Sequence, residues 1–386
     1  MNTLKSTILK EFYFSGTQSI AEISESIGKS IPLVTKTIQE LIDENLVKIT
    51  GLRASTGGRR ATNYTLEPNN HKYVIAIAID QKSLDMVVYD ILNEPIYSLK
   101  HSDISDFIDN DIYKLLCDNI TEILNNIDRY KISGIGITTP GFVDLKNDVN
   151  NSFDNKSPLY DLRKRIHKEF SIPTFLENDS SAIAMAEKYF GKAKNAQNAL
   201  IINLTWGVGL GMIVQNQLFR GERGFAGEFS HIPLSDENKL CSCGKKGCLE
   251  VEASLNSAIE YITNEIRNGE VSRLSEILNV NGSLKFEDVL QAYENGDQLT
   301  IKAVKKIAHM LGKGIATLIH ILDPEKIIVS GKGSVFGSVL LPEIQSAIQE
   351  YCIPRLSDHT KIEISNLKEI QLKASACIAI QQMQWR

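Results

Sequence analysis

Residues Glu228–Glu250 read EFSHIPLSDENKLCSCGKKGCLE. The stretch sets His231, Cys241, Cys243 and Cys248 close together, and zinc takes four such nitrogen and sulfur donors in a tetrahedron. A structural Cys3His zinc site is the reading. Gly244 and Gly247 flank Lys245 and Lys246 and let the chain turn tightly enough for Cys243 and Cys248 to converge on one ion. Incidental thiols or a disulfide are the plainer alternatives. The single residue between Cys241 and Cys243 suits a shared metal better than a mutual bridge. With protein at all four positions the site is closed, structural rather than hydrolytic.

Outward from this loop the chain alternates strands and helices. Upstream lie YVIAIAI (73–79), DMVVYD (85–90), PIYSLK (95–100), a helix at about 111–127, ISGIGIT (132–138), a helix near 160–170, IPTFL (172–176) and a helix opening at Asp179. Nearer the loop are ALIINLT (199–205) and GLGMIV (209–214). Beyond it come helices near 252–267 and 297–322, KIIVS (326–330), a helix near 336–350, KIEIS (361–365) and a last helix at 373–384. Continuous apolar runs of strand length between amphipathic helices predict an α/β fold in two lobes, with ligands held by loops at the carboxyl ends of strands. The boundaries are 73–180 with 370–386 for the first lobe and 181–369 for the second, which carries the zinc loop.

The first 66 residues have a different pattern. Leu4, Ile8, Leu9 and Phe12 form one helical stripe, and Ile20, Ile23 and Ile27 a second that ends at Gly28. Ser30 stands where it caps a third helix, with Pro32 in the first turn and Val34, Ile38, Leu41 and Ile42 facing inward. Two helices joined around Gly28 read as a helix-turn-helix whose third helix enters a major groove. LVKITGLRASTGGRRATNYTL (46–66) follows as two short strands about a glycine-rich turn, the wing of a winged helix. From Asn45 to Leu66 there is no acidic residue, while Lys48, Arg53, Arg59 and Arg60 all fall there, the electrostatic footprint that phosphates require. Ser30, Thr35, Lys36, Arg53, Arg59 and Arg60 are the candidate DNA contacts. The plainer alternative is a solvated hairpin on a small interaction domain. Arg59→Ala is expected to weaken binding to all sequences and flatten the salt dependence by about one unit of slope, measured by titration at several salt concentrations. Residues 67–72 then read as a linker.

Composition limits the rest. Net charge is −5, so no general affinity for nucleic acid follows from the total. The other cysteines, Cys117, Cys352 and Cys377, are isolated, which fits a reducing compartment better than a disulfide framework. No signal peptide and no run of eighteen uncharged apolar residues is found, so a soluble, cytoplasmic protein with no membrane partner is expected.

GIGITTPGFVD (134–144), ENDSSAIAMAE (177–187), WGVGLGMIVQNQLFRGERGFAGEFSH (206–231), CSCGKKGCLE (241–250) and LDPEKIIVSGKG (322–333) stand in the order of the ROK family of repressors, open reading frames and kinases, which the chain resembles over nearly its whole length. The resemblance implies an actin-like, sugar-kinase-type ATPase fold, and the winged helix resembles that of the family's transcriptional regulators. Asn178, Asp179, Glu228, His231 and Glu250 match the family's sugar contacts, Asp179 falling on the position of the kinases' general base. Carboxylates and an imidazole satisfy vicinal hydroxyls. Ser230 departs from the glycine usual between Glu and His. Without the resemblance, Asp179 reads more simply as the cap of a helix beginning at Ser180.

ATP-using members carry glycine-rich phosphate loops. Here Asp80-Gln81-Lys82-Ser83 has no glycine, Gly207-Val208-Gly209 lacks a threonine, and Gly331-Lys332-Gly333 keeps only part of a glycine run. The expected function is therefore a DNA-binding transcriptional repressor, not an enzyme. A sugar or sugar phosphate in an interlobe cleft is its expected effector, zinc its structural metal, and a homodimer or homotetramer on an operator its working form. A sugar kinase with an added domain, or a regulator governed by a protein partner with a vestigial sugar site, are the alternatives.

Overall fold

The computed structural model describes residues 3–52, 61–99, 101–235 and 237–385. Contacts divide the chain into one unit of Met1–Tyr189 with Glu369–Arg386, and a second of Phe190–Lys368.

The first unit begins with α1 (Thr3–Ser15), β1 (Gln18–Ser19), α2 (Ile20–Ser26), α3 (Ile31–Asp43), β2 (Val47–Leu52) and β3 (Thr62–Leu66). Ile8, Leu9 and Phe12 of α1, Ile23 of α2 and Val34, Ile38 and Leu41 of α3 are all within 2% of full burial, and the three helices pack on one another. Ser19 and Glu22 form a reciprocal capping box at the start of α2. Beyond Ser26, Gly28 takes the left-handed conformation that the turn to α3 needs. The strands lie antiparallel in the order β1-β3-β2. Ser30 occupies the cap position of α3 but makes no side-chain cap hydrogen bond, so the predicted cap is positional only.

The chain continues through β4 (Tyr73–Ile79), β5 (Ser83–Tyr89), β6 (Pro95–Ser98), β7 (Ser102–Asp103), α4 (Asp109–Asn126), β8 (Ile132–Thr139), β9 (Val143–Asp144), β10 (Val149–Asn150), α5 (Leu162–Phe170), β11 (Thr174–Asn178) and α6 (Asp179–Phe190). The sheet runs β11-β8-β4-β5-β6, with β11, β8 and β4 parallel and β4-β5-β6 an antiparallel meander. The alternation inside YVIAIAI decides what covers each face. Ile75, Ile77 and Ile79 join Leu116, Ile120 and Ile166 from α4 and α5. Ala76 and Ala78 face the C-terminal helix at Leu372 and Ala376, where small side chains permit a close approach.

The second unit comprises β12 (Ala199–Leu204), β13 (Val208–Val214), β14 (Gln217–Phe219), α7 (Glu250–Ala253), α8 (Leu255–Arg267), α9 (Ser275–Asn281), α10 (Phe286–Glu294), α11 (Gln298–Leu322), β15 (Lys326–Ser330), α12 (Gly337–Tyr351), α13 (Pro354–Ser357) and β16 (Lys361–Ile364). Its sheet, β14-β13-β12-β15-β16, repeats the plan of the first: an antiparallel meander of three strands, then two parallel strands. The last helix, α14 (Ile370–Gln382), returns to the first unit and packs on β4 and β8.

The division at Tyr189/Phe190 leaves α6 almost entirely with the first sheet, whereas the sequence placed the boundary before Ser181. Asp179 through Glu187 are all buried, as suits a helix packed along its length. No described helix is long and apolar enough to cross a membrane.

Candidate functional site

The loop of the second unit brings the four predicted metal ligands together. One ligand atom from each of His231, Cys241, Cys243 and Cys248 lies within 4.8 Å of all the others. Cys241 Sγ is 3.6 Å from His231 Nδ1, and Cys243 Sγ is 3.6 Å from Cys248 Sγ. Tetrahedral zinc with sulfur bonds of about 2.3 Å needs sulfurs about 3.8 Å apart, so the donor set fits a structural ion in chemistry and spacing. Backbone geometry produces this convergence. Cys241 N–H donates to Lys245 C=O (2.7 Å) and Gly244 N–H to Cys241 C=O (2.9 Å), closing a turn in which Gly244 and Gly247 have φ of +83° and +77°. As a thiol, Cys248 is pushed up to about 12, by burial first and then by the neighbouring thiols, while the Lys245 backbone amide lowers Cys243. A divalent cation among the sulfurs would reverse the first effect.

With Nδ1 among the sulfurs, His231 Nε2 faces Glu228 Oε2 at 3.7 Å. Desolvation, with Glu250 adding to it and His231 opposing it, raises the Glu228 carboxyl above its ordinary range. Glu250 Oε2 accepts the Val208 N–H (3.2 Å), leaving its other oxygen for a ligand. Ser230 is buried at 3% exposure.

Asn178 and Asp179 lie in the first unit, at the junction of β11 and α6. The cap assigned to Asp179 by sequence belongs first to Asn178, whose Oδ1 accepts the N–H groups of Ser180 (3.0 Å) and Ser181 (3.1 Å). Its Nδ2 donates to Gly141 C=O (3.1 Å), which leaves one amide hydrogen for another partner. Asp179 is 9% exposed, and its Oδ1 accepts the Ser180 N–H at 2.7 Å.

The three nucleotide-type loops are used internally. Asp80 N–H donates to Ser83 C=O (2.8 Å), closing a tight turn between β4 and β5. A side chain at Gly331 would meet Asn203 Oδ1 at 2.4 Å, and one at Gly333 would meet Leu204 at 2.5 Å, so both glycines serve packing against the end of β12. Lys332 Nζ lies 5.4 Å from the Trp206 ring centre, a cation–π contact beside the Gly207–Gly209 turn.

On α3 the exposed residues include Ser30, Thr35, Lys36 and Gln39. Thr35 Oγ1 donates to Ile31 C=O (2.8 Å), so it can offer DNA only its methyl group and an acceptor. Lys48 is paired with Glu67 at 3.1 Å, which weakens its part in the basic stretch. Arg53, Arg59 and Arg60 lie outside the described residues. Sequence reading passed over Ile31 (55% exposed) and Leu33 (43%), large apolar side chains at the first turn of α3. Their clue was the unpatterned run Ile31-Pro32-Leu33 ahead of the inward stripe. A cavity of about 390 Å³ lined by Glu252, Lys305, Lys306, His309, Met310 and Glu343 contains none of the predicted residues.

Two α/β units of repeated strand plan, the second carrying a His-Cys cluster, define an actin-like protein of the sugar-kinase type. The chain belongs to the ROK family, whose signature spans residues 98–375. It is 28% identical over 380 residues to the xylose repressor of Caldicellulosiruptor bescii, covering 97% of this chain and 94% of that protein. To NagC of Escherichia coli, a DNA-binding transcriptional dual regulator, it is 26% identical, covering 91% and 86%. Among solved structures it is similar to a ROK family transcriptional regulator homologous to E. coli MLC, with TM-score 0.77, 26% identity and coverage of 98% and 96%. A ROK family glucokinase from Streptomyces griseus, solved with glucose and AMPPNP, shares the fold at TM-score 0.70, with 24% identity, 80% of this chain and 99% of its own.

Proposed function

We propose that the protein is a transcriptional repressor whose first 66 residues form a winged helix-turn-helix and whose DNA affinity is set by a sugar. The observation that carries this reading is end-to-end similarity to repressors: the regulator structure matches 98% of this chain, the glucokinase 80%. Placing α3 in a major groove gives Ser30 and Lys36 phosphates to contact. Ile31, Leu33 and the Thr35 methyl become apolar surfaces of the kind that meet thymine methyl groups. Arg53, Arg59 and Arg60 would take phosphates or the minor groove. Two such domains in a homodimer or homotetramer would meet half-sites about 34 Å apart, or a multiple.

Asn178, Asp179, Glu228, His231 and Glu250 are the proposed contacts of a carbohydrate or its phosphate. Binding would favour one conformation of the protein and so shift the population competent for DNA. His231, Cys241, Cys243 and Cys248 would hold zinc, which supplies a rigid closure of the loop bearing three of these contacts. The test is to select duplexes from a random pool and titrate the complex with D-xylose, N-acetylglucosamine, glucose and their phosphates. At least one is expected to change the DNA Kd by about 5- to 150-fold. Failure to bind any duplex would overturn the repressor reading. Tight DNA binding that no sugar alters would favour control by a protein partner.

The internally used loops also support a protein that does not turn over ATP. With ATP, magnesium and the same sugars, phosphorylation is expected to stay at the level of the Asp179→Asn control. Turnover above that control would establish a kinase.

A further inference from the structure

Asp179 begins α6, and the same helix meets the DNA-binding segment near its other end. Tyr189 stacks on Phe14 of α1 with ring centres 3.9 Å apart and planes 23° from parallel. Ten helical steps lead from Asp179 to Tyr189, a span of about 15 Å. Because Asp179 through Glu187 are buried, α6 has no exposed stretch in which a displacement at its start could dissipate.

Helix α1 belongs to two structures at once. Ile8, Leu9 and Phe12 are core residues of the three-helix segment. Elsewhere on the helix, Lys10 Nζ donates to Gln381 C=O (2.6 Å), Ser6 Oγ accepts the Trp385 N–H (3.3 Å), and the Tyr13 hydroxyl donates to Asn93. Trp385 Nε1 in turn donates to His71 Nδ1 (3.1 Å), whose Nε2 contacts Leu46 C=O (2.8 Å). α1 is thus tied to the end of α14 and to the β5-β6 turn, and separately to α6 through the Phe14–Tyr189 stack. Movement of α6 against α14 would rotate α1, and with it α3.

We propose that α6 is the connecting rod of the sugar response, with Phe14 and Tyr189 as positioning residues that pass the state of Asn178 and Asp179 to the DNA-binding helices. The inference rests on the sugar-controlled repressor reading, and its test is a double-mutant cycle on the full chain. The probe is a duplex selected from a random pool. Asp179→Ala is expected to change the affinity for that duplex at least fivefold in the wild-type background. In Phe14→Leu, which keeps apolar bulk but loses the stack, the same change should fall below twofold. Tyr189→Phe retains the ring and the stack and should behave as wild type. A Phe14→Leu melting temperature near that of the wild type excludes unfolding as the cause, and Tyr189→Leu repeats the cycle from the other ring. Equal effects of Asp179→Ala in both backgrounds, or none in either, would overturn the inference while leaving DNA binding intact. Absence of any bound duplex would overturn the repressor reading itself, and the inference with it.

Discussion

Cys243→Ser is expected to take the protein from about one zinc per chain to nearly none and to abolish its response to sugar. Cys243 is the right ligand to change because it is exposed, whereas Cys248 is 0% and Cys241 4% exposed. A surface substitution that touches nothing else costs within about 0.5 kcal/mol, so a larger loss of stability reports the metal rather than a cavity. The loop sits on a formed core: Phe229 and Leu249 press against α11, where a side chain at Gly314 would meet Leu249 at 2.7 Å. Loss of the ion should therefore loosen residues 231–248 without unfolding the unit. Glu228 and Glu250 flank that segment, and His231 loses the bond that fixes its ring. Sugar affinity should fall tenfold or more, in the range seen when groups that orient a metal site are removed. DNA binding without effector should change less, because residues 3–52 belong to the other unit. Zinc content by atomic absorption, together with sugar titration of the DNA complex, checks both halves. Wild-type protein treated with a chelator should reproduce the variant. A zinc-free variant with a normal sugar response would show that loop and effector contacts are only neighbours.

What could be read from sequence was whatever leaves a period or a spacing. The stripe Ile8-Leu9-Phe12, the run Tyr73–Ile79 and the ligands Cys241-Cys243-Cys248 are local patterns, and each element stands where its pattern falls. β1, β7, β9 and β10 are two residues long, too short for alternation to register. α9 and α10 are short helices of 7 and 9 residues, set between the stronger patterns of α8 and α11. The cap of α6 is not legible in the sequence either. Asn178 and Asp179 are both good capping residues, and only the geometry at the end of β11 decides which carbonyl oxygen reaches Ser181 N–H. Least legible were the long-range contacts. Nothing local to Lys10, Phe14 or His71 announces Gln381, Tyr189 or Trp385, although these pairs join the N-terminal three-helix segment to its support.

Gly136→Ala is expected to be among the most damaging single-methyl additions in the first unit. Gly136 lies in β8, paired with Ala76 of β4 on one side and Phe175 of β11 on the other. A Cβ there would stand 1.9 Å from the Ser375 carbonyl oxygen and 3.2 Å from the Ala379 methyl group. The obstacle is helix backbone, which cannot turn aside as a side chain does, so α14 must move off the sheet by roughly 1 Å. That movement breaks a local network: the Ser375 hydroxyl donates to Ile77 C=O (2.8 Å) and pairs with the Thr138 hydroxyl (2.9 Å), all of them buried. Overpacking costs about 1–3 kcal/mol and each stranded buried polar group about 1–3 kcal/mol. A net loss of about 3 kcal/mol is the expectation, lowering Tm by about 6–12 °C for a cooperative block of about 200 residues such as the first unit. The functional consequence follows from what else α14 holds. Its last turn and the residues beyond it anchor Lys10 and Ser6 of α1, so the variant should bind a selected duplex more weakly even well below its melting temperature. Thr138→Val tests the polar part alone, since it removes one hydroxyl without crowding α14, and should cost less than half as much. Melting curves and duplex titrations on the two variants separate the terms. A Gly136→Ala protein that melts within 1–2 °C of the wild type would mean that β8 and α14 separate more cheaply than close packing allows.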